Sequence, residues 1–266
     1  MKLITSRANP VFKRILATVR AGARQGSDAW LEGVHLCEAW LEHRGQPHVA
    51  VFDQSSQDDP QVISLASRVD RERQLWLSRD LISAVSTLKS PSPVGFVVPI
   101  VQREIALVLQ QVCVALDGVQ DPGNVGTILR TAAAAGVKQF VAGLGCAALW
   151  SPKVLRSGQG AHFAMSLYEG IDLRKWFLQL GDTTERSPIV ATSLTDAQPL
   201  FGSQLPAHCI WVFGNEGQGV SPELLELVDH RVRIDHDRQA VESLNVASAA
   251  AICLFEQRRQ QTIHSS

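Results

Sequence analysis

The chain has 266 residues, 45% of them hydrophobic and 19% charged, enough for one large domain or two modest ones with a sizeable core. A formal net charge of −1 speaks against a uniformly basic nucleic-acid coat, and no apolar run reaches the roughly eighteen residues of a membrane span. Five scattered cysteines (Cys37, Cys113, Cys146, Cys209 and Cys253), with no C-x-x-C pair, exclude a disulfide framework and a zinc signature.

The opening residues, MKLITSRANPVFKR, lack the apolar core of a secretory signal, so the expected compartment is the cytoplasm. Residues 1–27 hold Lys2, Arg7, Lys13, Arg14, Arg20 and Arg24 and no acid. This local excess suits phosphates, or equally a solvated helix face. Asn9-Pro10 predicts a helix start, with Asn as cap and Pro in the first turn. Val11, Ile15, Leu16 and Val19 then share a face. A second helix is expected over VHLCEAWLEH, strands over HVAVF and LWLS, and a short helix over RDLISAV capped by Ser78. The proline-rich stretch 89–103 predicts a domain boundary, giving domains 1–103 and 104–266, with GFVVPIV as a closing strand of the first.

Beyond 104 the pattern alternates. Strands are expected over VCVALDG, QFVAG, FAMSLY, PIVAT and CIWVFG, with helical stretches between most of them. This is the signature of an α/β fold with a parallel sheet, whose ligands bind at the carboxyl ends of the strands. Three segments sit at such ends: LDGVQDPGNVG, ATSLTD and FGNEGQG. The first reads as a tight loop through Asn124 and Gly126, followed by a helix carrying Arg130 among small and apolar residues. The last helix is expected over ESLNVASAAAICLFEQRRQ, with Ser243 and Asn245 at its opening.

Several motifs are ambiguous in isolation. GLGCAA at 143–148 matches a dinucleotide fingerprint, which would make the protein an oxidoreductase, but Pro152 follows too soon for a long phosphate-binding helix. GNEGQG lacks the Lys-Ser/Thr of a P-loop. Asp235-His236-Asp237 reads as a polar loop rather than a metal site, since adjacent side chains do not converge on one centre.

In combination they are specific. N-x-G-x-I-x-R at 124–130, G-N-E-G-x-G at 214–219 and E-S-L-N-V at 242–246, in that order, resemble the SpoU/TrmH branch of the SPOUT methyltransferases. The resemblance spans most of 111–260 and includes SPKVLRSGQGAHF and AICLFEQRRQ. SRANPVFKR and WLEGVHLCEAWL look like the opening of the substrate-binding extension of the family's ribosomal RNA members.

The resemblance implies a parallel α/β sheet with a C-terminal trefoil knot, preceded by a smaller α/β RNA-binding domain. It implies methyl transfer from S-adenosylmethionine to a ribose 2′-hydroxyl of RNA, ribosomal rather than transfer RNA, by a homodimer with its site near the subunit interface and without a metal. Thr192, Ser193 and Leu194, then Gly214, Asn215 and Gly217, then Ile234 to Leu244 would form the cofactor pocket, with Ile234 and Leu244 enclosing the adenine. Arg130 would clamp the phosphate and stabilise the developing alkoxide, and Asn124 would position the ribose or support Arg130. Glu216, Ser243 and Asn245 would hold the geometry, while Arg7, Lys13, Arg14 and Arg130 would meet RNA. Asp235 stands where the family usually has proline, in a loop one residue longer than in close ribosomal members. That departure bears on cofactor affinity and leaves an inactive RNA-binding protein as an alternative, beside a transfer-RNA enzyme.

Overall fold

The structure is a computed structural model that describes residues 2–21, 28–101, 105, 111–181 and 186–264. Arg24 and the expected boundary at 103/104 lie outside the described residues. The chain divides into two compact units, Met1–Gln102 with Trp150–Phe163, and Arg103–Leu149 with Ala164–Ser266.

The first unit runs β1 (Lys2–Ile4), α1 (Pro10–Ala21), β2 (Asp28–Glu32), α2 (Val34–His43), β3 (Val49–Asp53), α3 (Pro60–Ser67), β4 (Gln74–Leu77), α4 (Arg79–Val85) and β5 (Val94–Pro99). Its five-stranded sheet has the order β1-β4-β3-β5-β2, parallel from β1 to β3 and antiparallel around β5. GFVVPIV therefore supplies an interior strand. Asn9 Oδ1 accepts from the Val11 amide at 2.9 Å at the head of α1. Phe12 and Ile15 turn into a core with Leu75, Leu77 and Leu81. Lys13 and Arg14 fall on the exposed face of the same helix, and Arg7 is exposed ahead of it. Ser78 caps α4 by position alone, without a side-chain bond. The segment Trp150–Phe163 contains α6 (Pro152–Gly158), and its Leu155 and Phe163 join the core of Leu31, Trp40 and Phe96.

The second unit holds β6 (Cys113–Asp117), α5 (Pro122–Ala134), β7 (Gln139–Gly143), β8 (Ser166–Ile171), α7 (Leu173–Leu180), β9 (Ile189–Thr192), β10 (Gln198–Pro199), β11 (Ile210–Gly214), α8 (Pro222–Leu225), β12 (His230–Arg233) and α9 (Val246–His264). Its seven-stranded sheet is parallel throughout, in the order β10-β12-β9-β11-β6-β7-β8. Alternate residues of the central strands, such as Ala115 and Val212, pack under Trp176 and Phe177 of α7. On α9, Gln257 Oε1 accepts from the indole Nε1 of buried Trp211 at 2.8 Å. Unpaired, those buried polar groups would be costly; joined, they lock α9 to β11.

Two helix starts differ from expectation. Asn124 and Gly126 lie inside α5, not in a loop before it, because Asp121 caps the helix and Pro122 occupies its first turn. The last helix begins at Val246, four residues later than expected. Asn245 is its cap, accepting from the amides of Ala247 and Ser248 at 2.9 and 3.3 Å, and Ser243 lies ahead of it in the loop.

Four of the cysteines are buried and Cys146 is half-buried, and all are free. Burial pushes the thiol of Cys209 up to about 12 and raises those of Cys37, Cys113 and Cys253 as well, which fits inert packing groups. Among the described residues no helix is long and apolar enough to cross a membrane, and no three His, Cys, Asp or Glu side chains are placed to hold a metal ion.

Candidate active site

Three loops meet beyond the carboxyl ends of β9, β11 and β12, where open parallel sheets place their ligands. They enclose a cavity of about 500 Å³. Small-molecule pockets occupy roughly 300–1,000 Å³. Thr192, Ser193 and Leu194 line it, as do Gly214, Asn215, Gly217, Ile234 and Leu244, so all eight sequence-predicted cofactor residues share one wall system. Glu216 and Ser243 line it too.

The 214–219 turn is shaped by its own backbone. Asn215 and Gly219 exchange two main-chain bonds of 3.0 and 2.8 Å, which close a tight hairpin. A Cβ on Gly214 would stand 2.0 Å from the carbonyl carbon of Gly219, so only glycine fits there. Asn215 Oδ1 accepts from the Gly217 amide at 2.8 Å, and its Nδ2 donates to the Gly118 carbonyl at 2.9 Å. Asn215 thus shapes the turn as well as lining the cavity.

Beside the cavity the three motifs are joined by side chains. Asn124 Nδ2 donates to Glu216 Oε1 at 2.8 Å, and Asn245 Nδ2 donates to Asn124 Oδ1 at 3.0 Å. Asn245 Oδ1 is committed to the start of α9, and the Asn124 backbone amide to the Asp121 cap at 2.8 Å. Each side-chain amide is therefore oriented by its partners, and the carboxylate of Glu216 has a fixed donor.

Arg130 is not brought into this cluster. It stands six residues after Asn124 on α5, about 9 Å further along the helix and about 120° around it. Its side chain is exposed and makes no hydrogen bond or ion pair with a described residue. Ser243 is exposed at the cavity rim. Arg7, Lys13 and Arg14 belong to the first unit.

Sequence reasoning missed Val220, Val232 and Ala249, which add apolar surface, and Arg233, which adds a polar group; Thr195, His236, Glu242 and Val246 also line the cavity, from within the segments that the sequence singled out. Asp235 pairs with Arg233 across 2.8 Å, and Arg238 Nη2 donates to the Leu194 carbonyl at 3.2 Å. The loop that departs from the family pattern is thereby tied both to its own strand and to the neighbouring loop. The glycine-rich 143–148 segment leads through a turn to Ser151, whose side chain caps the seven-residue α6. No long helix follows it to receive a dinucleotide.

The chain is 32% identical over 268 residues to an uncharacterised tRNA/rRNA methyltransferase of Synechocystis, covering 97% of this chain and 94% of that protein. It is 33% identical over 230 residues to the 23S rRNA (guanosine(2553)-2′-O)-methyltransferase of Bacillus subtilis, covering 86% and 87%. An rRNA methyltransferase of Sinorhizobium meliloti, solved with bound S-adenosylmethionine, superposes with a TM-score of 0.75 at 26% identity over 97% of each chain. The SpoU rRNA methylase family model matches residues 111–255, more than half of the chain. The cavity, the joined motifs and these likenesses together place the chain in the SpoU rRNA methylase family.

Proposed function

We infer that the cavity receives S-adenosylmethionine and that the chain methylates a ribose 2′-hydroxyl in ribosomal RNA. The observation that carries this reading is the convergence of three distant loops on one cavity, with Asn124, Glu216 and Asn245 hydrogen-bonded in series at its side. The family match and the two relatives named for RNA methylation support it.

The residues present fit the cofactor. Ile234 and Leu244 offer apolar walls for a purine ring, while the 192–195 and 214–219 loops offer backbone donors and acceptors for its edge and ribose. When bound, S-adenosylmethionine supplies an electrophilic methyl group on a sulfonium. The protein's own work is to hold the hydroxyl in line with that methyl and to ease departure of its proton. Arginine stays protonated in proteins and is a poor base. Arg130 instead grips the phosphate beside the target ribose and stabilises negative charge growing on the oxygen, while a phosphate oxygen or water takes the proton. Its exposed guanidinium, which has no partner among the described residues, supports that role. Asn124, held by Glu216 and Asn245, positions the ribose. Ser243 borders the RNA at the cavity rim.

The finer features belong to the same reading. Leaving β12, the chain passes the Leu194 loop through Arg238, meets Asn124 through Asn245, and enters α9, which packs on α5 and β11. This return path supports a C-terminal trefoil knot, an arrangement that general topology rules would not suggest. A homodimer with its site near the subunit interface belongs to the same reading. Arg7, Lys13 and Arg14 make the first unit the RNA-gripping domain, and the setting is the cytoplasm.

The test is methyl transfer from labelled S-adenosylmethionine to a mixture of unmodified ribosomal and transfer RNA, separated by size afterwards. Label in ribosomal RNA supports the reading. Label confined to transfer RNA would shift the substrate class, and no label despite cofactor binding would favour an inactive RNA-binding protein.

A further inference from the structure

The 234–244 loop carries two apolar side chains of the cavity, Ile234 and Leu244, at its two ends, and their separation depends on the shape of that loop. The geometry points to His236. Its imidazole lines the cavity and lies across the loop, with Nδ1 2.9 Å from the carbonyl oxygen of Ile234 and Nε2 3.4 Å from that of Glu242. Between these anchors the chain turns back on itself, with the amides of Ala240 and Val241 bonded to the Asp237 carbonyl at 3.2 and 3.1 Å. A loop of mostly exposed residues is thus spanned by one ring.

We propose that His236 is a positioning residue for S-adenosylmethionine, stapling the two ends of the loop so that Ile234 and Leu244 are set apart by the thickness of the adenine ring. The proposal rests on the cofactor reading above. Imidazole suits the task because its two nitrogens face the two carbonyls from one rigid plane; the imidazolium form donates to both at once, whereas the neutral ring carries one N–H and bonds one end of the loop at a time. Without the ring, both carbonyls turn to water and the loop samples wider openings. Part of the binding free energy then goes into ordering the loop. Because the staple acts on the cofactor's pocket, and Asn124 and Arg130 lie on α5, its loss falls on cofactor affinity rather than on the transfer step.

The experiment measures S-adenosylmethionine affinity by titration calorimetry, and KM and kcat for methyl transfer, in the wild-type protein, His236→Ala and His236→Gln. For His236→Ala the expected result is a rise of about tenfold in Kd and in KM for the cofactor, with kcat within about twofold of wild type, as removal of one or two modest hydrogen bonds would give. The thermal midpoint of the ligand-free protein should stay put, since the loop is exposed. His236→Gln, whose amide can donate to a loop carbonyl, should recover most of the affinity. An unchanged Kd in His236→Ala, a loss carried by kcat alone, or equal weakening in Ala and Gln variants would each overturn the proposal. Absence of S-adenosylmethionine binding in the wild-type protein would overturn it together with the cofactor reading, whereas normal wild-type binding with an indifferent His236→Ala would sink the staple alone.

Discussion

Asn124 donates its side-chain amide to the carboxylate of Glu216 at 2.8 Å, across 92 residues of sequence. Asn245 completes the series from the other side at 3.0 Å. Asn124→Asp would replace the donor by a carboxylate facing a carboxylate, and the series would break by repulsion. We expect methyl transfer to fall by about tenfold to a hundredfold, with cofactor Kd changed less than about threefold, since only a positioning group is altered. The readout is kcat beside calorimetric Kd; a kcat near wild type would remove Asn124 from the positioning role.

Asn245 has a second duty as cap of α9, so its loss is expected to show in stability as well. Asn245→Ala should lower unfolding free energy by about 1 kcal/mol and slow transfer. Asn245→Asp keeps the capping acceptor and loses the donor to Asn124. It should therefore restore most of the stability but not the activity, as chemical denaturation and rate measurements would reveal.

Gly214→Ala tests the turn. Its methyl would meet the Gly219 carbonyl carbon at 2.0 Å, far inside van der Waals range, so the hairpin must open. The expected outcome is at least about a tenfold loss of cofactor affinity and a lower thermal midpoint, with overpacking of this kind costing about 1–3 kcal/mol or more. Calorimetry and a melting curve read both effects, and normal binding would show that the turn does not shape the pocket.

Charge reversal of Lys13 and Arg14 on the exposed face of α1 should weaken RNA binding and flatten its salt dependence. The log–log slope should lessen by about 0.7–0.9 for each phosphate that is no longer neutralised. Cofactor affinity should not move. An unaltered slope in filter binding across salt concentrations would place the RNA elsewhere.

On α9, the two hydrogen bonds from Arg259 hold the Glu256 carboxyl down at about 2, against an ordinary value of 4.5, with Gln260 adding a third bond. The folded value is depressed, so the interaction stabilises the fold fully above the unfolded value and is lost as pH falls through the folded one. Glu256→Gln should therefore be less stable than wild type at about pH 7, with the gap closing between about pH 4.5 and 2. A gap of constant size over that window in denaturant titrations would contradict the assignment.

The strand succession of the second unit was legible because buried parallel strands read as short apolar runs, as in VCVALDG and CIWVFG. His230–Arg233 and the two-residue Gln198–Pro199 escaped because neither shows apolar alternation. The cap-then-proline signal of Asn9-Pro10 recurs along the chain. Asp59-Pro60, Asp121-Pro122 and Ser151-Pro152 start helices with the same pair, and Ser221-Pro222 does so without a side-chain bond. Asp172 with Leu173, Trp176, Phe177 and Leu180 carries an equally plain helical signal. Within the site, the three motifs carried a family resemblance, and that resemblance pointed to the residues of the cavity walls. What spacing cannot reveal is which side chains close on one another. The Asn124–Glu216 bond, and the span of His236 to Glu242, depend on how the folded backbone brings separate segments side by side.

Arg130 carries the chemical claim most directly, since it is exposed, makes no hydrogen bond or ion pair with a described residue, and is not among the residues that line the cofactor cavity. Its conversion to alanine should leave S-adenosylmethionine affinity intact and slow transfer by about a hundredfold to a thousandfold. The decisive measurement is the identity of the methylated atom: label ribosomal RNA with the wild-type protein and with Arg130→Ala, digest to nucleosides, and separate them. The account predicts label in a single 2′-O-methyl nucleoside with the wild-type protein and nearly none with the variant. Label on a base, or full 2′-O-methylation by Arg130→Ala, would contradict it.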